Sequence, residues 1–413
     1  MIGRCRLCGG QSLHVAVDLG ATPLANSYLR PEQLIEAEPY YPLRALLCDC
    51  CFLLQLETFS DPRLDPRAIF GDYPYFSSYS DALLATSKAY AASISACLGL
   101  KPGDRVVEIA SNDGYLLQHF LGRGMDVLGI DPAANVARTA VGKGIRTLVR
   151  FFGSNVAREL AAEGNLARLI VANNVVAHVP DLNDFLAGLK ILLAPGGHVT
   201  MEFHHLLSLV EHHQFDAIYH EHCQYFSLRT ARTALASHGL TIIDVEPLPA
   251  QGGSLRIHVR HQEEASDPTC AVSRVLAQEE AAGLFSPTRY VRLSNDIEKT
   301  KLGVLSFLVT ARQAGKSVVC YGAAAKGNTL LNYCGVHADM VDYVVDRSPS
   351  KQGLFLPGSR IPIHDPARVM ETKPDYLLIL AWNLRDEIVE QMSSIRDWGG
   401  RFVVPIPEVQ IYP

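Results

Sequence analysis

Three features of the sequence predict an α/β protein made of a small cysteine-stapled module followed by two Rossmann-like units. They are two Cys-x-x-Cys knuckles in the first 51 residues, a strand–helix alternation over residues 105–203, and a second alternation beginning near residue 250. The expected boundaries are 1–70 for the stapled module, 71–246 for the central unit and 247–413 for the C-terminal unit. Five of the ten cysteines lie in the first module, as Cys5/Cys8 and Cys48/Cys51 with Cys50 between the latter pair. In a reducing compartment, two such knuckles read as one tetrahedral Zn(Cys)4 site rather than as disulfides. Four thiolates leave no open position for water, so this site is structural. Cys50 is a conceivable substitute for Cys48 or Cys51, and free core thiols are the plain alternative.

A linker rich in Asp, Pro and aromatic residues follows, including Gly71-Asp72-Tyr73-Pro74-Tyr75. A helix is expected over Ala82–Leu98, and Lys101-Pro102-Gly103-Asp104 is a turn. Strands are expected at Arg105–Ala110, Asp126–Ile130, Thr147–Phe151, Leu169–Ala172 and His198–Phe203. Helices fall between them, one of them capped by Asp181, and Pro195-Gly196-Gly197 turns the chain into the last strand. In the C-terminal unit the expected strands are Ser317–Tyr321, Val341–Val345, Tyr376–Leu380 and Phe402–Pro405.

Composition narrows the classes. Apolar residues make up 48% and charged residues 19%, which suits a folded globular chain. A formal net charge of −6 disfavours tracking a nucleic-acid backbone. No apolar run reaches the ~18–20 residues needed to cross a bilayer, and no signal-type stretch opens the chain, so no membrane partner and a cytoplasmic location are expected.

Open α/β sheets bind ligands beyond the carboxyl ends of their strands. The first central strand runs into Glu108-Ile109-Ala110-Ser111-Asn112-Asp113-Gly114, which lacks the glycines of a pyrophosphate cradle. Small residues with polar side chains suit a ligand with an amino-acid end, such as S-adenosylmethionine. Glu108, Ala110, Asn112, Gly114 and Asp131 are the candidate cofactor residues. Asp131, at the end of the second strand, suits both hydroxyls of a ribose and would repel a 2′-phosphate.

Seven of the fifteen histidines fall between His198 and His222. His220 and His222, two apart, do not have the i, i+4 spacing of a helical zinc protease site. His204, His205, His212 and His213 read as packed or surface imidazoles. Tyr219, Glu221 and His222 place a phenol and a carboxylate beside an imidazole, which are the parts of a general base with an orienter. His178, after the fourth central strand, should face the cofactor cleft; a loop histidine bonded to backbone is the alternative. In the C-terminal unit, Tyr321-Gly322-Ala323-Ala324-Ala325-Lys326-Gly327-Asn328 leaves a strand and opens a helix. Backbone N–H groups with Lys326 and Asn328 could receive a diphosphate there; a glycine turn with a solvated lysine is the alternative.

The paired knuckles, Val107–Gly114, Tyr219–Ser227 and Tyr321–Thr329 together resemble the zinc-containing sugar C-methyltransferases of deoxysugar biosynthesis, including the kijanose and tetronitrose C-3 enzymes. Ala110 departs from the glycine usual in that family. The resemblance implies an N-terminal zinc domain, a central S-adenosylmethionine-dependent methyltransferase domain, and a C-terminal domain that helps hold a dTDP-4-keto-deoxysugar through residues such as Tyr321, Lys326 and Asn328. It further implies that His222 is the base, with Tyr73, His178, Tyr219 and Glu221 lining the site and Glu221 either orienting His222 or binding a sugar substituent. An O- or N-methyltransferase and a non-catalytic zinc-dependent binding protein are the competing readings. A monomer or weak oligomer is expected.

Overall fold

The computed structural model describes residues 3–58, 61–65, 69–71 and 76–413. Tyr73 lies outside the described residues. Three sheets organise the chain. In the first module β1 (Leu13–Thr22), β2 (Tyr41–Cys48) and β3 (Leu54–Leu56) form an antiparallel meander.

Helix α1 (Asp81–Leu98) enters the central unit. Ser80 caps it by accepting from the Leu83 N–H, and left-handed Gly99 ends it, each satisfying backbone groups that a helix end leaves open. Then follow β4 (Arg105–Ile109), α2 (Leu117–Leu121), β5 (Asp126–Ile130), α3 (Ala134–Gly142) and β6 (Thr147–Leu148). After these come α4 (Ser154–Ala162), β7 (Ala167–Asn173), α5 (Leu182–Leu192), β8 (Leu193–His204) and α6 (Leu206–Glu211). Asp181 caps α5 as its sequence position suggests, accepting from the Asp184 N–H. The short β9 (Gln224–Tyr225) leaves the central unit to pair with β3, locking the first sheet to the second. Helix α7 (Leu228–Ala236), β10 (Leu240–Leu248) and β11 (Ser254–His261) complete the middle sheet in the order β10-β11-β8-β7-β4-β5-β6. Strands β6 to β8 run parallel through β5, β4 and β7, whereas β11 is antiparallel to both β8 and β10.

Two local expectations differ from what forms. The turn at Pro195–Gly197 is an irregularity inside β8: Ala167 faces Leu193 and Leu169 faces His198, so three extra residues bulge out around left-handed Gly196. The boundary placed at 246/247 falls within β10, and β11 beyond it is hydrogen-bonded into the middle sheet, which therefore runs to His261.

The C-terminal unit adds α8 (Cys270–Ala281), α9 (Pro287–Gln313), β12 (Val318–Tyr321), α10 (Ala325–Cys334), β13 (Val344–Val345), β14 (Ile363–His364), β15 (Tyr376–Ile379), β16 (Arg401–Val404) and β17 (Gln410–Tyr412). The sheet order is β14-β13-β12-β15-β16-β17, parallel except for β17.

The first module is not an isolated metal-held appendage. Leu19, Leu43, Leu47 and Leu54 share one core with Leu308 of α9 and Val318 and Leu330 of the C-terminal unit. On its other side Cys5, Cys48 and Leu53 join the core of the middle sheet. Burying roughly 1.5–3 kcal/mol per large aliphatic side chain on both sides makes this module the wedge that sets the two Rossmann-like units against each other. Among the described residues no helix is long and apolar enough to cross a membrane.

Candidate active site

The four knuckle cysteines converge. The Sγ atoms of Cys5, Cys8, Cys48 and Cys51 all lie within 4.8 Å of one another, with Cys5–Cys51 at 3.5 Å and Cys8–Cys48 at 3.6 Å. These spacings are far too long for a disulfide of about 2.05 Å. They match the edge of about 3.8 Å expected for tetrahedral sulfurs about 2.3 Å from zinc. The sulfurs compete for one negative charge: S–H donation from Cys51 pulls Cys5 down to about 5, the same bond drives Cys51 up, and burial pushes Cys8 up to about 11. A divalent cation removes that conflict. Exposed Cys50 stands outside the four. Among the described residues these cysteines are the one metal-ligating cluster, and the histidines of 198–222 form none.

At the carboxyl edge of the middle sheet the chain reverses beside β4, whose neighbours are β5 and β7. The loop after β4 bends through three left-handed residues: Ala110 (φ 57°), Asn112 (φ 51°) and Gly114 (φ 78°). The preference for glycine at position 110 has a backbone reason, since alanine in that region costs about 1 kcal/mol. Gly114 is required by packing as well, because a Cβ there would lie 2.4 Å from Ile145 Cδ1. Asp131 accepts from the N–H groups of Asn112 and Ala133, both at 2.8 Å, while the Asn112 side chain accepts from Ser77 N at 2.9 Å. Of the five expected cofactor residues, Asn112 and Gly114 thus shape the loop. Glu108 and Asp131 bring carboxyls to it, and half-buried Ala110 brings backbone.

Among the described residues, several buried oxygens here have no partner: Glu108 Oε2, Ser111 Oγ, Asp113 Oδ1 and, at the end of β7, Asn173 Oδ1. Burial, with Asp131 and Asp113 nearby, pushes the Glu108 carboxyl well above the usual range. Unpaired buried acceptors are costly. They fit a ligand carrying both an ammonium and a sulfonium, which is the charge pattern of S-adenosylmethionine. Asp113 and Asn173 were not singled out in the sequence; a strand-end rule applied to every parallel strand would have found both.

Around the histidines, the His222 N–H donates to Tyr219 O at 2.9 Å, closing a turn that brings the two rings to 4.0 Å. His222 Nδ1 lies 2.9 Å from the Ala217 carbonyl, which can only accept, so the proton sits on Nδ1. Nε2 then accepts from the Tyr219 hydroxyl at 2.7 Å. Burial, reinforced by His178, holds His222 well below the usual imidazole range, so it is neutral. His178 packs edge-on at 4.7 Å, donates from Nδ1 to the Glu221 carbonyl at 3.0 Å, and is lowered by burial to about 4. Glu221 does not orient His222; that task falls to the Ala217 carbonyl. The Glu221 side chain instead accepts from Asn26 Nδ2 at 2.6 Å, and burial raises it to about 7.

The C-terminal unit contributes one of its three expected residues to this cleft. Lys326 donates to the Gln251 carbonyl at 2.9 Å, lies 5.0 Å from the Trp382 ring, and is close enough to disfavour charge on His204 and His222. Its own pKa is lowered by burial, against the pull of Asp216. Tyr321 donates to Gln391 at 2.7 Å, and buried Asn328 donates to the Ala25 carbonyl at 2.6 Å, so both side chains serve the framework. Asp216 and Trp382, joined at 2.6 Å, were absent from the sequence reading because nothing local marks them. His205 is a packed imidazole, bonded to buried Glu279 at 2.7 Å.

Comparison with known proteins divides the chain into three, with the second break near residue 247, where the sequence places it. The profile of a zinc binding domain matches residues 5–64, that of a methyltransferase domain 83–245, and that of a C-methyltransferase C-terminal domain 249–407. Among solved structures the chain is similar to magnesium protoporphyrin IX methyltransferase from Synechocystis PCC 6803 with bound SAH. That match is 16% identical over 43% of this chain and 82% of the other, with a TM-score of 0.34. It is also similar to the N-methyltransferase NodS from Bradyrhizobium japonicum WM9, at 15% identity over 44% and 98% of the two chains, with a TM-score of 0.34. Sheet, loop and cysteine site together define an S-adenosylmethionine-dependent methyltransferase with a structural zinc site. The C-methyltransferase NovU of Streptomyces niveus is 35% identical over 99% of this chain and 97% of its own length. The chain belongs to the zinc-containing sugar C-methyltransferase family and is a C-methyltransferase.

Proposed function

We propose that the protein methylates C-3 of a dTDP-4-keto-deoxysugar through an enolate, in a pathway of antibiotic deoxysugar biosynthesis. The observation that carries this reading is the Tyr219–His222–Ala217 relay, which presents a neutral imidazole in a fixed tautomer beside His178 and within electrostatic reach of Lys326. A hydrogen beside a ketone is acidic because the carbanion delocalises onto the carbonyl oxygen. His222 Nε2 takes that proton once the substrate displaces or shares the Tyr219 hydroxyl. The electron pair moves into C=C–O⁻, and Tyr219 donates to the new oxyanion. Burial keeps His222 unprotonated before the reaction, and the negative charge appearing next to it stabilises the imidazolium that forms. When bound, S-adenosylmethionine would be held by Asp131 at its ribose and by the acidic loop at its cationic end, and it would supply an electrophilic methyl group. Lys326 offers a positive charge to the diphosphate. Expulsion of water and alignment of the two carbons contribute the remainder of the rate.

The test is to incubate candidate dTDP-4-ketosugars with methyl donor and to locate the new methyl group by NMR. Deuterium placed at the acceptor carbon is expected to be lost. Methylation with that deuterium retained overturns proton abstraction. His222→Ala is expected to lower turnover at least ~100-fold with cofactor affinity intact; near-normal turnover removes His222 from the base role.

A further inference from the structure

The segment between β1 and β2 is a strap from the zinc module that reaches both Rossmann-like units. Leu29 exchanges two backbone hydrogen bonds with Phe355, at 2.9 and 2.8 Å. One turn earlier, the Ala25 carbonyl accepts from buried Asn328 at 2.6 Å, and the Tyr28 hydroxyl donates to the Ala323 carbonyl at 2.7 Å. Between these anchors lies Asn26. Its Nδ2 donates to Glu221 Oε1 at 2.6 Å, and because a carboxylate oxygen only accepts, this bond fixes the amide orientation. Glu221 is 6% exposed. In so little water a carboxylate persists only with a donor, and among the described residues Asn26 is the side chain that donates to it.

We propose that Asn26 is a positioning residue of the methyl-transfer site: it holds the Glu221 carboxylate in its charged form, with Oε1 engaged and Oε2 left for a hydroxyl or amino substituent of the substrate. The proposal rests on the assignment of the active site to the His222–Glu221 loop. Among the described residues, Asn26 from the strap reaches the Glu221 carboxyl and His178 from the segment after β7 reaches its carbonyl, while Tyr219, His220 and His222 are its titratable neighbours along the loop. The histidines have depressed pKa values and are neutral near pH 7, so none replaces the amide as a stabiliser of negative charge. The zinc module then has a task besides folding, since its strap carries the donor to the reacting loop.

The experiment is a pH titration of the Glu221 carboxyl by infrared difference spectroscopy, reading each protein against its Glu221→Gln counterpart. It uses zinc-loaded protein with S-adenosylmethionine and no sugar. The wild-type carboxyl is expected to titrate near neutrality and that of Asn26→Ala about one unit higher, the loss expected for one charge-assisted hydrogen bond. Near-isosteric Asn26→Asp, which sets carboxyl against carboxyl, is expected to move it further and covers the case in which the alanine variant does not fold. With the sugar acceptor identified by NMR, the acid limb of kcat/KM should move with the titration, while S-adenosylmethionine affinity and zinc content stay unchanged. A titration unmoved in both variants overturns the proposal while leaving the active-site assignment intact. A moved titration with methyl transfer indifferent to both Asn26→Ala and Glu221→Gln overturns the assignment of this loop to the active site, and the role of Asn26 with it.

Discussion

At the carboxyl edge of the middle sheet, Asp131 follows the strand beside β4 and accepts from Asn112 N and Ala133 N, at 2.8 Å each. At the same edge of the C-terminal sheet, Asp346 follows β13, beside β12, and accepts from Ala323 N and Ser348 N, again at 2.8 Å each. Both acids tie the loop after the first strand to the end of the second, the construction used where an open parallel sheet changes direction. What lies above them differs. Over Asp131, among the described residues, Glu108 Oε2, Ser111 Oγ and Asp113 Oδ1 are buried without a partner, while Asp113 Oδ2 accepts from Ser78 N and the Asp113 carbonyl from Lys143. Over Asp346, Lys351 reaches the Ala323 carbonyl at 2.8 Å and approaches the acid at 3.4 Å, and the Tyr28 hydroxyl takes the same carbonyl. One switch point is left for a ligand and the other is filled by the protein's own side chains. The charge of the C-terminal unit lies instead at Lys326, within electrostatic reach of His204 and His222. A Rossmann-like sheet in sequence therefore does not by itself specify a nucleotide at its edge.

The largest expected effect tests what holds the filled edge together. Cys5→Ser or Cys48→Ser, or zinc chelation, should unfold the first module and release the strap that carries Tyr28 and Asn26, because metal-binding free energy here is folding free energy. Circular dichroism and metal analysis check this; a folded, active protein without zinc would contradict it. Next, Asp131→Asn and Asp346→Asn separate the two edges directly. The first should weaken S-adenosylmethionine binding roughly 10- to 100-fold, the scale of a lost hydrogen bond to a charged group, whereas the second should leave it unchanged in calorimetry. Equal losses would end the distinction between an open and a filled edge.

A third test concerns the pH dependence of stability around the buried histidines near His222. Burial depresses His178 to about 4 and His204 to about 3, so the unfolded chain binds more protons than the folded one between those values and the ordinary imidazole pKa of 6.5. Their contribution is complete above about pH 6.5 and is lost as pH falls toward 4. Glu221, raised to about 7, has the opposite slope, contributing less as pH rises from about 4.5 to 7. The contribution of His178 is therefore read by difference: denaturant midpoints of wild type and His178→Gln should converge on acidification from pH 6.5 to 5, because the variant lacks the buried imidazole whose protonation the fold opposes. The smallest effect expected is that of Ala110→Gly, which relieves a left-handed alanine beside the open edge. It should change stability by no more than about 1 kcal/mol and preserve cofactor binding.

Much of this was legible locally. Parallel strands announce themselves as apolar runs, Asp181 caps the helix its position suggests, and Cys-x-x-Cys spacing needs no tertiary information to bring two sulfurs to one ion. Tyr219 and His222 lie three residues apart, so one turn is enough to join them. Asn26, Asp216, Trp382 and the filling of the Asp346 edge were not legible, because each depends on a partner more than a hundred residues away or on which unit packs on which.

By itself, then, the sequence determined the three-unit architecture, the zinc ligands, the acid at the end of β5 and the phenol–imidazole pair, since these depend on short-range spacing and strand periodicity. Only the tertiary structure decided that Glu221 answers to Asn26 rather than to His222, that Lys326 reaches the cleft while Asn328 does not, and that one of two similar sheet edges stays open. The physical reason is that burial and long-range hydrogen bonding set a polar group's charge and availability, and both arise only when the wedge-like first module brings the two sheets together.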